Sequence, residues 1–136
     1  MIQYDYQTRV YYKDIDKMGV VYYSRYFEFF EQTRTELLNE IGINIKMIEN
    51  EDCFLPVVST SCDYHQGAKF EDQIIVRALI KAPPSARMTI NYEVYRKRDK
   101  KLLVTGKTVH GFINKRGIPK KPPKSLKLLI STLLSD

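Results

Sequence analysis

Long hydrophobic runs are missing from this chain of 136 residues. No apolar stretch approaches the roughly 20 residues that a membrane-spanning helix needs. The first residues have neither the basic segment nor the apolar core of a signal peptide, so we expect a cytoplasmic protein without a membrane span. The length fits a single domain, residues 1–136, and a chain of this size can bury about two thirds of its unfolded surface.

Cysteine and histidine are scarce. Cys53 and Cys62 stand alone, without the spacing of a zinc site or of a disulfide framework, so we expect two reduced thiols with structural roles. His65 and His110 have no partner at metal-ligand spacing, and we expect no metal site. The chain also lacks a glycine-rich phosphate loop and the nucleophile elbow of a serine hydrolase. We therefore expect no cofactor.

Acidic residues are nearly absent from the C-terminal third. The range 100–136 has nine basic residues and one acid, whereas the first 99 residues have 13 basic and 15 acidic residues. Such a basic face can bind nucleic acid, an acidic membrane surface, an acidic protein or a polyphosphate ligand, or it can be solvated surface. Because no nucleic-acid motif and no aromatic residues accompany Lys115–Lys127, we expect no nucleic-acid partner.

The hydrophobic periodicity predicts a strand, a long helix, four strands and a terminal helix. Alternation over Tyr4–Tyr12 predicts a half-buried strand. Helical spacing then predicts a helix of about 18 residues, with Ser24 as its N-cap and Gly42 just beyond its end. The later elements are predicted at Phe54–Tyr64, Gln73–Ala82, Met88–Arg98, Leu102–Asn114 and, as a helix, Ser125–Leu134. This order favours an α+β fold with an antiparallel sheet against the helix.

Aromatic residues are concentrated at the start of the long helix. Six of them fall within the range 22–30, more than one helix face can bury against a small sheet. Exposed apolar area of that size usually marks an interface. We therefore expect a homodimer or a homotetramer.

A loop with two carboxylates separates the first strand from the long helix. Asp14, Asp16 and Gly19 are residues that favour turns, and an arbitrary Asp-x-Asp in this position is most often a turn former. The amides of a helix N-terminus can, however, hold a polarised carbonyl oxygen, and a neighbouring carboxylate can attack that carbonyl or activate water. The loop is therefore a candidate active site.

The stretch that starts at this loop resembles the signature of a known enzyme family. It reads Asp14-Ile15-Asp16-Lys17-Met18-Gly19-Val20-Val21-Tyr22-Tyr23-Ser24-Arg25-Tyr26, followed by Phe29-Phe30-Glu31 and Arg34-Thr35-Glu36-Leu37-Leu38. It is similar to the hot-dog-fold acyl-CoA thioesterases, in the 4-hydroxybenzoyl-CoA thioesterase and YbgC-like branch. The resemblance implies a long central helix wrapped by a curved five-stranded antiparallel sheet, and a dimer with its active sites at the subunit interface.

The resemblance also implies roles for individual residues. Asp16 would be the catalytic carboxylate, and the backbone N–H of Tyr23 would receive the thioester oxygen. Gly19, Val20 and Tyr26 would contact the substrate. Tyr23 stands where YbgC-like members often carry histidine, which keeps the backbone donor but removes the imidazole.

These observations predict a hydrolase that cleaves acyl-CoA to a free acid and CoA. Arg87 and the lysines of Lys115–Lys121 are candidates for the phosphates of CoA. One alternative is a non-catalytic acyl-CoA-binding or regulatory protein, which the retained Asp16 disfavours. Another is a thioesterase that acts on acyl carrier protein, an acidic partner that would also suit the basic face.

Overall fold

The computed structural model describes all residues from Met1 to Asp136. Its elements, in chain order, are β1 (Ile2–Arg9), α1 (Arg25–Glu40), α2 (Ile45–Asn50), β2 (Val57–Tyr64), β3 (Gln73–Ile80), β4 (Met88–Arg96), β5 (Leu102–His110) and α3 (Lys124–Ser135). The predicted order of the strands, the long helix and the terminal helix is confirmed, and the short helix α2 lies in addition between α1 and β2. No helix is both long enough and apolar enough to cross a membrane.

The strands form one five-stranded antiparallel sheet in the order β1-β3-β4-β5-β2. β1 therefore occupies one edge and β2 the other. The strand predicted to reach Tyr12 ends earlier, because residues Tyr12–Asp14 turn into a short 3-10 helix. Tyr12 consequently lies on the surface, where its ring contacts the edge of Phe70 with 5.9 Å between the ring centroids.

The helix α1 packs on the concave face of this sheet. Its buried residues recur every three or four positions and are Tyr26, Phe29, Phe30, Thr33, Leu37 and Leu38. Phe30 stacks on Tyr92 of β4, with ring centroids 4.2 Å apart. Gly106 of β5 permits Phe30 to pack this close to the sheet, because a Cβ at that position would lie only 2.7 Å from the Phe30 ring.

Gly42 ends α1 as predicted. It adopts a positive φ of 91°, and its N–H donates to the carbonyl of Asn39, while the N–H of Ile43 donates to the carbonyl of Leu38. These two bonds make a Schellman motif, in which glycine is favoured because it has no Cβ to oppose a left-handed conformation.

The aromatic cluster is buried further within one chain than the sequence predicted. Tyr26, Phe29 and Phe30 are fully buried, because the curved sheet covers a wide arc of α1. Tyr22 and Tyr23 precede the helix and remain exposed, with ring centroids 4.6 Å apart. The helix alone therefore gives less evidence for a second subunit than its composition suggested.

Candidate active site

Backbone hydrogen bonds close the loop between β1 and α1. Asp16 donates its N–H to the carbonyl of Val20 at 2.9 Å and accepts the N–H of Gly19 on its own carbonyl at 3.0 Å. Ile15 and Val21 pair as an isolated antiparallel bridge on either side. Gly19 makes the tight return possible with a φ of 79°. These hydrogen bonds thus fix Asp16 at the first position of a short turn.

One oxygen of the Asp16 carboxylate is used by the loop and the other is not. Oδ1 accepts the N–H of Met18 at 2.8 Å, whereas Oδ2 has no hydrogen bond within the chain. The side chain is partly exposed. The pKa of the Tyr22 hydroxyl is raised, chiefly by the adjacent Tyr23 hydroxyl and to a smaller extent by the negative charge of Asp16. Asp16 therefore presents a free carboxylate oxygen beside this tyrosine pair.

Asp14 differs from Asp16 in burial and in bonding. Its residue is only 1% exposed, and its carboxylate accepts the N–H of Tyr11 at 2.9 Å and the ammonium of Lys13 at 2.8 Å. Its carbonyl accepts the N–H of Tyr22 at 2.8 Å. The carboxylate and the backbone carbonyl of Asp14 therefore both stabilise the loop, which is the structural role that the sequence favoured.

Tyr23 lies two residues before the first residue of α1. Its N–H donates no hydrogen bond within the chain, and its side chain is 59% exposed. Its carbonyl accepts the hydroxyl of Tyr64, on the edge strand β2, at 3.0 Å. Ser24 occupies the predicted N-cap position, but its hydroxyl does not cap the helix. The N–H groups of Tyr23 and Ser24 are therefore left available to an external oxygen, whereas that of Arg25 donates to the carbonyl of Tyr22.

The connection between β2 and β3 packs against the loop that contains Asp16. Val20 pairs with Lys69 in an isolated bridge, and Gly67 lies so close to Val20 that a Cβ there would be 3.0 Å from its side chain. The hydroxyl of Tyr26 accepts the N–H of Ala68 at 3.3 Å. Tyr26 is only 1% exposed and supports this connection through that bond; its substrate contact stays a prediction.

Arg87 lies apart from this loop, in a basic groove of about 950 Å³. The cationic residues of the groove are Arg87, Lys120, Lys121, Lys124 and Lys127. Phe112 and Val58 contribute apolar surface. Sequence reasoning missed Lys124 and Lys127, although their spacing of three residues on a helix indicates a shared face. Lys115 and Arg116, by contrast, lie outside the groove.

Cys53 and His110 are buried, and Cys62 is half-buried. Burial raises the pKa of both thiols. His110 bonds the hydroxyl of Thr108 at 2.8 Å and the carbonyl of Leu55 at 3.2 Å, and Thr108 bonds the hydroxyl of Tyr92. Burial lowers the pKa of His110, so its neutral form is favoured. No cluster of three or more potential metal ligands is found.

The family is settled by comparison with known proteins. A model of the thioesterase-like superfamily matches residues 10–129. The chain belongs to this superfamily. The acyl-CoA thioesterase YbgC of Haemophilus influenzae is 33% identical over 94 residues, which cover 68% of this chain and 69% of that relative. The predicted membership of the YbgC-like thioester hydrolases is thereby confirmed.

Solved structures agree with the family. A probable thioesterase from Bartonella henselae is 31% identical and superimposes with a TM-score of 0.80 over 89% of this chain and 99% of its own. The DHNA-CoA thioesterase from Staphylococcus aureus reaches a TM-score of 0.91 over 99% of this chain and 93% of its own, at 21% identity. The latter likeness concerns the fold alone. The predicted hot-dog fold is confirmed.

Proposed function

We propose that the chain hydrolyses acyl-CoA thioesters, with Asp16 as the nucleophile or general base and the Tyr23 N–H as the oxyanion donor. The observation that carries this proposal is the unpaired N–H of Tyr23 next to a loop whose carboxylate keeps Oδ2 free. An oxyanion donor is worth roughly 2.7–4 kcal/mol to an acyl-transfer transition state. A non-catalytic acyl-CoA-binding protein would need neither the unpaired N–H of Tyr23 nor the free Oδ2 of Asp16.

Two sequences of steps are consistent with these residues. As a nucleophile, Asp16 adds to the thioester carbonyl, expels the CoA thiolate and forms a mixed anhydride that water hydrolyses. As a general base, it takes a proton from the water that adds to the carbonyl, and the thiolate leaves with that proton. Hydrolysis in ¹⁸O-labelled water identifies the nucleophilic route when ¹⁸O enters the Asp16 carboxylate, which happens when water attacks the Asp16 carbonyl of the anhydride.

The basic groove suits the nucleotide part of CoA. Five cations line it, and no carboxylate does. Coenzyme A carries a 3′-phosphate and a diphosphate, for which arginine and lysine provide charge-assisted hydrogen bonds. We therefore assign Arg87, Lys124 and Lys127 to nucleotide binding. An acyl carrier protein is also acidic and would be attracted by the same groove, so kcat/KM on both carriers identifies the natural one.

Salt should weaken the binding of acyl-CoA more than that of the matching acyl-pantetheine. Exposed charge pairs are screened as ionic strength rises, and acyl-pantetheine lacks the phosphates.

We expect Arg87→Gln to raise KM for acyl-CoA about three- to tenfold with little change in kcat, because one charge-assisted contact is lost. Steady-state kinetics at several salt concentrations measure both effects.

The control for this prediction is Arg116→Gln, which removes a charge from the same basic third but lies outside the groove. It should leave KM unchanged. Equal salt dependence for acyl-CoA and acyl-pantetheine would remove the groove from substrate binding.

Tyr64 is proposed to position the oxyanion donor. Its hydroxyl holds the carbonyl of Tyr23 at 3.0 Å, and its ring contacts the ring of Tyr26 with 5.6 Å between the centroids. Burial is the main cause that raises the pKa of the Tyr64 hydroxyl, and a hydrogen bond with the Cys62 thiol is the second. The Tyr64 hydroxyl therefore remains a hydrogen-bond donor at neutral pH. The contact fixes the turn that presents the Tyr23 N–H.

Tyr64→Phe should therefore lower kcat about three- to tenfold and leave KM nearly unchanged, since one neutral hydrogen bond contributes about 1 kcal/mol. Tyr95→Phe, which removes a hydroxyl on the central strand β4, is the matched control and should keep both constants. A rise in KM without a fall in kcat would assign Tyr64 to ground-state binding instead of donor positioning.

The proposed dimer joins two copies through β2. This strand forms an edge of the sheet, and almost every residue in it is exposed on both faces. Monomeric proteins usually protect such an edge with charges, proline or a covering segment, whereas β2 contains no proline and only one charged residue, Asp63, near its end. Tyr64 connects this edge to Tyr23, so a second copy at β2 would adjoin the proposed site.

A further inference from the structure

Arg34 is a half-buried cation on α1 that no carboxylate of the chain neutralises. The other arginines that are not exposed, Arg25, Arg77 and Arg96, form ion pairs with aspartate or glutamate, whereas Arg34 forms none. Glu31 lies three residues earlier, a spacing that permits an ion pair on a helix, but its side chain extends into solvent without making one. Partial removal of a cation from water without a counter-ion costs free energy. The charge of Arg34 is therefore available to an anion from outside the chain.

Two buried groups lie within the field of Arg34, and both are neutral. Burial raises the pKa of Tyr92, and a hydrogen bond with Thr108 and the charge of Arg34 oppose this rise. Burial is also the main cause that lowers the pKa of His110, and the charge of Arg34 lowers it further. At neutral pH a tyrosine with a raised pKa keeps its proton and a histidine with a lowered pKa stays uncharged. Neither group therefore supplies the negative charge that Arg34 lacks.

The hydrogen bonds of these interior groups are complete without Arg34. The carbonyl of Leu55 can only accept, so Nδ1 of His110 donates to it at 3.2 Å, and Nε2 accepts the hydroxyl of Thr108 at 2.8 Å. The hydroxyl of Tyr92 then donates to Thr108 at 2.8 Å. This chain of bonds contains no carboxylate. It leaves to Arg34 only the oxygen lone pair of a neutral hydroxyl, which does not balance a full positive charge.

A cavity of about 500 Å³ opens at Arg34, between α1, α2 and the segment that leads into β2. Its apolar lining comes from Leu38, Ile45, Phe54, Leu55 and Pro56. Arg34 is the only cation of the lining, and the exposed residues Glu31 and Glu49 are its acids. A ligand with one negative charge and an apolar body would pair with Arg34 and cover the apolar walls. A ligand with several negative charges would be repelled by the two glutamates.

We propose that this cavity binds a monocarboxylic acid with an apolar body, in its ionised form. The carboxylate of the ligand pairs with Arg34, and the hydrocarbon part lies against Leu38, Ile45 and Phe54. The cavity shares no lining residue with the loop of Asp16 or with the basic groove. Thioester hydrolysis releases acids of this class, so a product acid is one such ligand if the proposed function holds. The site itself does not depend on that activity.

The test is a titration with sodium hexanoate, which combines one carboxylate with an apolar chain, followed by ¹H–¹⁵N NMR. Ionic strength is held constant with sodium chloride. The amide signals of Thr35 and Phe54, which line the cavity, should shift and saturate, whereas that of Gly19 in the catalytic loop should stay in place. Acetate lacks the apolar chain and 1-hexanol lacks the charge. Each should therefore bind at least about tenfold more weakly than hexanoate.

Three variants complete the test. Arg34→Gln should weaken hexanoate binding about tenfold, because the charge-assisted contact is lost, whereas Arg34→Lys keeps the charge and should weaken it less. Lys46→Gln removes an exposed cation of α2 outside the cavity and should change nothing. Hexanol that binds as tightly as hexanoate, or undiminished hexanoate binding by Arg34→Gln, overturns the role of Arg34. Shifts confined to the catalytic loop, or no shifts, overturn the cavity as a site. The three ligands on the unaltered chain decide even where a variant does not fold.

Discussion

Replacing Asp16 with asparagine is expected to lower kcat by roughly 10²- to 10⁴-fold, the range that a catalytic acid or base contributes. The amide of asparagine can neither attack a thioester nor take a proton from water. It can still accept the N–H of Met18 through its side-chain oxygen, the bond that Asp16 makes at 2.8 Å. The fold and the melting temperature should therefore change little. Steady-state hydrolysis of a panel of acyl-CoA substrates, with circular dichroism on the same samples, measures both quantities.

Asp14→Asn is the matched control, because it makes the same chemical change two residues away. Asp14 is buried and accepts a backbone N–H and a lysine ammonium. Losing charge-assisted bonds of this kind costs about 1.5–3 kcal/mol, so the melting temperature should fall by on the order of 5 °C. The kcat of the folded variant should stay close to that of the parent. If the two variants exchange these effects, the catalytic carboxylate has been assigned to the wrong residue.

The regular elements could be predicted because their signals are local. Alternation along β3 and β4, and three-to-four spacing along α1, follow directly from which face is buried. The end of α1 at Gly42 was likewise predictable, since a left-handed residue there favours glycine. The bounds of β1 were not, because the turn at Tyr12 depends on the Asp14 carboxylate bonding back to Tyr11.

The site was predicted only in part, because its parts come from distant segments. The loop with Asp16 and Tyr23 is one continuous stretch, and the sequence pointed to it. The contact of Tyr64 with Tyr23 joins residues 41 positions apart, and no local pattern indicates it. The burial of Arg96 at the end of β4 is also not indicated by the sequence, where an arginine at a strand end is typical of a solvated position.

Replacing Thr60 with proline is expected to split the proposed dimer and to abolish most of the activity. His65 donates its N–H to Leu103 of β5, and antiparallel ladders alternate, so the N–H of Thr60 points away from β5 toward the open edge. Proline at an edge position removes this donor without removing a backbone hydrogen bond inside the protomer. In a monomer the two halves of an interface site would no longer lie together. We therefore expect kcat/KM to fall about 100-fold.

Thr60→Val serves as the control for this change. The threonine hydroxyl bonds the carbonyl of Lys107, and both substitutions remove that bond, but only proline removes the outward N–H. Sedimentation equilibrium at micromolar concentration should find the valine variant dimeric and active, and the proline variant folded and monomeric. A proline variant that stays dimeric with full activity would exclude β2 as the contact. A monomeric parent with full activity would contradict the interface site itself, because each chain would then hold a complete one.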